Sequence, residues 1–370
     1  GGMGSYVIGG TGGNLSGNIT GDGGMAFDAV ALSGQNSFAG GLLAIGFVRF
    51  NDDNNLGLAG GRILLRDGGL EPAFMTNSIS EDDLIAALAR HKPAAILLRG
   101  SPPLNARVLA AASGLKIIAK HGAGVDSVDI AAATRLGIAV MVTGGANADA
   151  VAEHSLALML ALTRELPRFD RETRAGGWRN LDLFIRDFRT RTVGIVGFGQ
   201  IGERTARLAQ ACGAMVIIHT RSAINPPPGM HVESDLDRLL DRIDILSLHC
   251  PLTDKTRGMI GAAQFARMKP GALLINTSRG PVVNEPALIA ALQSGRLAGA
   301  GLDTYAVEPP DAANPLFALP NVIVTPHIAA ATTDAMARMG TIAADNILAW
   351  LDGRVHDPRN FLNPEVRARA

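Results

Sequence analysis

Three polar residues stand at or just beyond apolar runs that read as β-strands. Arg279 follows the predicted strand Ala272–Thr277, Glu308 lies past Ala298–Asp303, and His327 comes after Val322–Thr325. In doubly wound sheets ligands bind outside the C-terminal ends of the strands, so these positions are the ones where chemistry is expected. An arginine fork grips a carboxylate bidentately. A histidine titrates in the range needed to exchange a proton with a hydroxyl or carbonyl. A carboxylate beside it fixes the tautomer and favours the imidazolium, which raises the histidine pKa. Hydride transfer to a 2-keto acid requires such a set: an anchor for the carboxylate, a proton donor and a group that orients the donor. Singly, each residue also has an ordinary reading. Arg279 could pair on the surface, Glu308 could be a solvated loop acid before Pro309-Pro310, and His327 could be a capped core histidine.

A source of hydride is suggested by Thr192–Gly202, TVGIVGFGQIG. Val193, Ile195 and Val196 suit a strand buried on both faces. Gly197, Gly199 and Gly202, with Phe198, Gln200 and Ile201 between them, form G-x-G-x-x-G, and a helical run from Glu203 to Cys212 follows. Closing a strand and opening a helix is the context that gives this pattern meaning. Gly197 permits the tight turn, Gly199 lets a pyrophosphate approach the backbone, and Gly202 lets helix and strand pack closely. The free N–H groups and positive dipole end of the helix then hold the phosphates. Flanks matter here, because a chain with 44 glycines offers many chance matches.

Which nicotinamide cofactor is bound is decided after the predicted strand Met215–His219. An acid that accepts the ribose hydroxyls is expected about 20 residues beyond the glycines. Thr220, Arg221 and Ser222 stand there instead. Arg221 would attract a 2′-phosphate and Ser222 could donate to it, so NADP(H) is the expected cofactor. NAD(H) remains the alternative, with Arg221 stacked on the adenine.

The elements that must position these groups alternate along the chain. Strands are predicted at Arg62–Leu65, Ala94–Leu98, Leu115–Ala119 and Ile138–Val142, with helices through His91, Asn105–Ala112 and Asp129–Leu136 between them. Ser80-Glu81-Asp82-Asp83 is a capping-box-like start for the first helix. Ala152–Leu166 is a long apolar helix expected to end this unit. Pro167–Arg191 reads as a solvated, Arg-rich connector, and Trp178 and Phe184 inside it suit a subunit contact. Beyond it come strands Val193–Val196, Met215–His219, Ile243–His249, Ala272–Thr277, Ala298–Asp303 and Val322–Thr325, with helices Asp235–Arg242 and Glu285–Ser294 among them. Helix Thr332–Leu351 is expected back on the first unit. Strands alternating with helices imply two doubly wound parallel-sheet domains, Rossmann-like and flavodoxin-like, with a cleft between them. The expected division is a substrate-binding domain of residues 61–152 plus 326–355 and a nucleotide-binding domain of 153–325. Residues 1–60 are Gly-rich without sustained period, the composition of a disordered extension. A strand pair at Ala29–Leu32 and Leu42–Phe50 is the alternative for part of that stretch. Two domains also suit the length of 370 residues.

Composition excludes several classes of function. Formal net charge is +0 and no basic run stands out, so nucleic-acid binding is not expected. Cys212 and Cys250 are the only cysteines, which excludes a disulfide scaffold or a cysteine-based metal cluster and suits a reducing compartment. No apolar run reaches the roughly 18 residues of a membrane span. His121, His154 and His249 lack ligand spacing, so no metal is expected. With no secretory signal in view, the cytoplasm is the expected location.

Seven ordered blocks resemble the D-2-hydroxyacid dehydrogenase family: KHGAGVDSVD (Lys120–Asp129), GANADAVAEHSLALML (Gly145–Leu160), GFGQIG (Gly197–Gly202), HCPLTDKTRG (His249–Gly258), MKPGALLINTSRGPVVNEPAL (Met268–Leu288), GAGLDTYAVEPP (Gly299–Pro310) and TPHIAAAT (Thr325–Thr332). The likeness runs from about Arg62 to the end. It implies that Arg279 binds and polarises the substrate, that Glu308 orients His327, and that His327 is the acid/base. The backbone amides of Ala123 and Gly124 would hold the substrate carboxylate. Asp303 would bind the nicotinamide carboxamide, Val151 would back the nicotinamide ring, and Arg279 and His327 would border it. Cys250, Pro251, Thr256, Thr277 and Ser278 would line the nucleotide site. Ala329 and Ala330 depart from the Gly-Gly usual after the His-Ile pair, which bears on substrate or nicotinamide fit. The Lys120–Asp129 block is most similar to the phosphoglycerate-dehydrogenase and hydroxypyruvate-reductase branches, with Arg99 and Lys120 as candidates to meet a distal anion, a solvated or structural charge being the alternative for either. Hydroxypyruvate, glyoxylate or 3-phosphoglycerate are the expected substrates, and a homodimer is the expected assembly. Formate dehydrogenase, a relative, fits less well because it carries a glutamine at the position of Glu308. A corepressor-type dinucleotide sensor shares the fold and retains the same three side chains, so it stands as the alternative.

Overall fold

The computed structural model describes residues 42–45, 70, 72–75 and 79–369. The strand expected at Arg62–Leu65, the one at Ala29–Leu32 and most of the 1–60 tract lie outside them. Described residues fall into two compact units, one ending at Ala146 and resuming at Thr333, the other Asn147–Thr332.

The first unit contains strands β1 (Leu42–Ile45), β2 (Pro72–Met75), β3 (Ala95–Leu98), β4 (Ile117–Lys120) and β5 (Ala139–Met141), with helices α1 (Glu81–His91), α2 (Ala106–Ala111) and α3 (Ile130–Arg135). All pairings are parallel, in the order β2-β1-β3-β4-β5. That is a flavodoxin-like order. Leu42–Ile45 corrects the expectation of a disordered extension: the apolar Leu-Leu-Ala-Ile run pairs with β2 and β3 inside the sheet. The alternative reading, a strand within Leu42–Phe50, places it. β3 and β4 are buried along their whole length, as continuous apolar runs in a parallel sheet require. Ser80, Asn105 and Asp129 cap α1, α2 and α3 through side-chain oxygens that accept from the amides of Asp83, Val108 and Ala132. Each such cap is worth about 1 kcal/mol. The C-terminal helix Thr333–Leu351 lays Ala343, Ala344, Ile347 and Leu348 against Ile117, Ala119 and Ala139 of this sheet.

The second unit opens with α4 (Ala148–Thr163) and α5 (Leu166–Arg174). It continues through β6 (Thr192–Val196), α6 (Gln200–Ala211), β7 (Met215–His219), β8 (Met230–Val232), α7 (Leu236–Leu240) and β9 (Ile245–Leu248). It ends with α8 (Ala262–Arg267), β10 (Ala272–Asn276), α9 (Glu285–Gln293), β11 (Leu297–Leu302) and β12 (Val322–Val324). The parallel order β12-β11-β10-β9-β6-β7-β8 places the reversal of strand order between β6 and β9. Thr333–Leu351 is then α10. Helix α4 was read as the element that ends the first unit, with the boundary at 152/153; the whole helix belongs to the second. A Cβ on Gly301 of β11 would lie 3.0 Å from the Leu158 Cβ, so a glycine in the strand lets α4 seat directly on the sheet. Unit boundaries therefore fall at 146/147 and 332/333 rather than at 152/153 and 325/326. Helix α5 corrects the reading of Pro167–Arg191 as connector throughout. Pro167 occupies its first turn, where proline is favoured, and no residue of the helix is buried, so no apolar period announced it. Among the described residues, no helix is long and apolar enough to cross a membrane.

Candidate active site

β6 ends in the glycine turn, and the three glycines serve three separate needs. Gly197 has φ +93° and donates its amide to the His219 carbonyl at 2.9 Å. A Cβ there would lie 2.7 Å from the Cys250 nitrogen, so any side chain would push into the turn after β9. A Cβ on Gly202 would collide with the Gly197 carbonyl oxygen, which fixes how closely α6 packs on β6. Around Gly199, the N-cap of α6, nothing lies within 4 Å of the corresponding position. That open space faces the unpaired amides of a 12-residue helix, a fit for the pyrophosphate of a dinucleotide. Gln200 and Ile201 form the first turn of α6. Cys250 is buried under Gly197, and burial pushes its thiol pKa up to about 11. His249 beside it is driven down to about 3 by burial, so it is a neutral structural group that contacts Ser247 Oγ at 2.9 Å. Thr256 Oγ1 donates to the Pro251 carbonyl at 2.7 Å and closes that loop. Beyond β7, Thr220 is half-buried and Arg221 and Ser222 are exposed. Arg221 has no ion pair or hydrogen bond with any described residue. Val151 is buried in α4, and Ser155 bridges its carbonyl to Thr277 Oγ1 through two contacts of 2.8 Å.

The C-terminal ends of β10, β11 and β12 carry the acid–base groups. Asn276, the last residue of β10, donates to the Arg279 carbonyl at 3.0 Å and accepts from the Ser278 amide at 3.0 Å and hydroxyl at 2.8 Å. This local network shapes the turn that presents Arg279. Gly280 follows because a Cβ there would collide with the main-chain carbonyl of Tyr305. From the loop after β11, Glu308 Oε1 accepts from the Tyr305 amide at 3.0 Å and Oε2 lies 2.7 Å from His327 Nδ1. His327 has φ +54°, a strained conformation for a side chain of its kind. Asp303, 1% exposed, holds the far side of that turn by accepting from the amides of Ile328 (2.8 Å) and Ala329 (2.9 Å). It also accepts from Thr325 Oγ1 at 2.6 Å, and His154 Nε2 lies 3.0 Å from that hydroxyl. Of the roughly four acceptor sites on a carboxylate, three are thus taken, leaving one on Oδ2 for a further donor such as a carboxamide.

Electrostatics follow from this geometry. The Glu308 hydrogen bond raises the His327 pKa against burial and the opposing charge of Arg279. Burial pushes Glu308 up, but the hydrogen bonds from His327 and the Tyr305 amide outweigh it and hold the acid below its usual value. A carboxylate at Nδ1 demands N–H there, which leaves Nε2 to exchange a proton with a bound ligand. The His327 and Glu308 side chains are 48% and 36% exposed, so ligand can reach them.

In the first unit, the expected substrate groups sit after β3 and β4. Lys120 is buried, and its ammonium donates to the Gly100 carbonyl at 2.7 Å. That hydrogen bond braces the turn after β3. Arg99 is half-buried, and burial lowers its pKa. His121 is pushed down to about 4 by burial and by the charges of Arg99 and Lys120. Gly122 has φ +134°, and its amide donates to Thr143 Oγ1 at 2.9 Å. The amides of Ala123 and Gly124 have no acceptor among the described residues.

Sequence reasoning missed Asn276, Gly280, Tyr305, Thr325 and His154 as parts of this network. Asn276 and Gly280 carried local turn signals. Tyr305, Thr325 and His154 carried none, because their partners lie in other elements.

Comparison with known proteins agrees with this architecture. The family profile described as D-isomer specific 2-hydroxyacid dehydrogenase, NAD binding domain, matches residues 156–329. A D-3-phosphoglycerate dehydrogenase of Archaeoglobus fulgidus is 38% identical over 292 residues, 78% of this chain and 55% of that protein. The chain thus spans only about half the length of that relative. A glyoxylate reductase of Aeropyrum pernix is 40% identical over 273 residues, 71% of this chain and 81% of that protein. Among solved structures, the TT0316 protein of Thermus thermophilus superposes with a TM-score of 0.77 at 34% identity, covering 87% of this chain and 99% of that one. With the glycine turn, both sheet orders and these extended matches in agreement, the chain belongs to the D-isomer specific 2-hydroxyacid dehydrogenase family.

Proposed function

We propose that the protein is an NAD(P)-dependent oxidoreductase that interconverts small D-2-hydroxy acids and their 2-keto forms, with NADP(H) preferred. The observation that carries this reading is the 2.7 Å His327–Glu308 pair next to the charge of Arg279, on a unit whose glycine turn is shaped for a dinucleotide. When bound, the nicotinamide supplies or accepts the hydride. Arg279 grips the substrate carboxylate and draws electron density from the adjoining carbonyl. His327 Nε2 gives the proton to the carbonyl oxygen in reduction and takes it back in oxidation, and Glu308 stabilises the imidazolium. Asp303 has one acceptor site left for the carboxamide. Within the first unit, the amides of Ala123 and Gly124, without an acceptor among the described residues, and Arg99 are the candidate anion-binding groups. Arg221, exposed and without a partner among the described residues, favours a 2′-phosphate beside Ser222. Cys212 and Cys250 are both free thiols, in keeping with a reducing cytoplasm. A homodimer is the proposed assembly.

The test is oxidation of NADPH and of NADH across glyoxylate, hydroxypyruvate and phosphohydroxypyruvate at controlled pH. Turnover with a higher kcat/KM for NADPH is expected. His327→Ala should cost about 10²–10⁴-fold in turnover, the range of general acid–base catalysis, while cofactor Kd stays near the parent value. Tight cofactor binding without turnover on any acid would instead favour the sensor, and a clear NADH preference would overturn the NADP(H) assignment.

A further inference from the structure

Each segment that carries one of the three reactive side chains is tied to a single residue, Tyr305. Its main-chain amide donates to Glu308 Oε1 at 3.0 Å. Its phenol donates to the Thr325 carbonyl at 2.9 Å, two residues before His327. Its main-chain carbonyl lies where a Cβ of Gly280 would be, against the turn that carries Arg279. The side chain is 5% exposed, and its ring meets Phe317 edge-on with centroids 5.8 Å apart and planes at 82°.

We propose that Tyr305 is the positioning residue of this site, and that its hydroxyl fixes the distance between His327 and Glu308. This rests on the functional reading above and goes beyond it. The ring alone would fill the space, but only the hydroxyl reaches the Thr325 carbonyl. Pro326 has no N–H with which to anchor the near side of the turn. Asp303 holds the far side through Ile328 and Ala329; on the near side Thr325 is held by its amide to the Leu302 carbonyl (2.9 Å) and its hydroxyl to Asp303 (2.6 Å), and the phenol adds the tie to its carbonyl. Burial, reinforced by the charges of Asp303 and Glu308, pushes the phenol pKa up to about 12, so it stays a donor throughout the working pH range. The charges facing His327 within this unit are Glu308 and Asp303, which favour the imidazolium, and Arg279, which opposes it. Loosening the turn weakens the direct Glu308 contact most, because that contact is the shortest-ranged of the three.

Tyr305→Phe keeps the ring and removes only the hydroxyl. Thermal midpoint and NADPH Kd should stay near those of the parent. The His327 resonance, assigned by its loss in His327→Gln, should titrate at lower pH than in the parent. The basic limb of the reductive kcat profile should move down with it. At pH 8 kcat should drop about tenfold with KM little changed, short of the ~10²-fold cost of a full ångström of misplacement. A tyrosine that merely fills space would leave both titrations superposed on the parent, and that result would overturn the proposal. A second measurement needs no change at Tyr305, since the chain has 2 tyrosines, Tyr6 and Tyr305. In protein grown with 3-fluorotyrosine, the Tyr305 ¹⁹F signal should shift with the His327 titration and lose that step in His327→Gln; a pH-flat signal would count against the tie. If the parent reduces no 2-keto acid, the functional reading fails, and the histidine and fluorine titrations still decide the role of Tyr305. If the parent is active and Tyr305→Phe titrates as it does, only the present inference falls.

Discussion

At the scale of single residues, the site depends on one carboxylate–imidazole contact and its sign. Glu308 raises the pKa of His327, so the imidazolium persists to higher pH than for an isolated histidine. In the proposed reaction, reduction of a keto acid consumes that proton, so the reductive rate should be full at low pH and be lost as pH rises through the folded-state pKa. Oxidation needs the neutral ring and runs the opposite way. Glu308→Gln keeps the shape of the side chain but removes its charge. Both limbs should therefore move to lower pH, the reductive one losing activity earlier and the oxidative one gaining it earlier. Steady-state pH profiles in the two directions measure this. A variant whose limbs coincide with the parent's would mean that Glu308 does not set the state of His327. Arg279, Glu308 and His327 were legible in the sequence because each stands at the end of an apolar run. Asp303 was read as a ligand for the carboxamide, and its larger share of work, holding three partners around the His327 turn, could not be read. Those partners lie more than twenty residues further along the chain.

At the scale of elements, the strand–turn–helix at β6 and α6 was the most legible feature, since its requirements are local and glycine satisfies all of them. Two of its glycines are structural by necessity, and Gly199 is not. Its φ of −87° suits any residue, and a Cβ there meets nothing within 4 Å. Gly199→Ala should therefore fold with the thermal midpoint of the parent while placing a methyl where the pyrophosphate approaches. A loss of at least tenfold in NADPH affinity is expected, about 1.4 kcal/mol. Calorimetry and fluorescence titration separate the two effects, and unchanged affinity would show that the phosphates lie elsewhere. The elements the sequence concealed are the ones without a periodic signature. β8 has three residues, α8 has six, and α5 buries nothing. α4 was found as a helix, but the expected boundary at 152/153 cut through its first turns. Its apolar surface says that it is buried, and only the glycines of β11 say against which sheet.

At the scale of the whole molecule, one stretch of surface is out of keeping with the rest. Trp178, Leu181 and Phe184 are 85%, 74% and 89% exposed within seven residues, while the other tryptophan, Trp350, packs edge-on against Phe361. They follow helix α5, which is held by its own ion pairs (Arg168 with Glu165 and Glu172, Arg174 with Asp170) and by Arg171 donating to the Pro320 carbonyl. Apolar side chains displayed on an anchored arm are costly in water and are the usual currency of association between proteins. The occupant argued for is a second copy of the chain, because a self-complementary contact related by a twofold axis is the commonest assembly of soluble proteins. Burying a tryptophan and a phenylalanine per protomer contributes several kcal/mol before association costs, at about 25 cal/mol per Å² and 150–250 Å² per aromatic. Trp178→Asp with Phe184→Asp should convert a dimeric parent to a monomer in sedimentation or light scattering. The glycine turn and the His327–Glu308 pair lie in other segments, so NADPH affinity should change little. A monomeric parent, or a double variant that still sediments as a dimer, would remove this arm from the assembly. Loss of cofactor binding together with dimerisation would show instead that the arm supports the fold of its own unit.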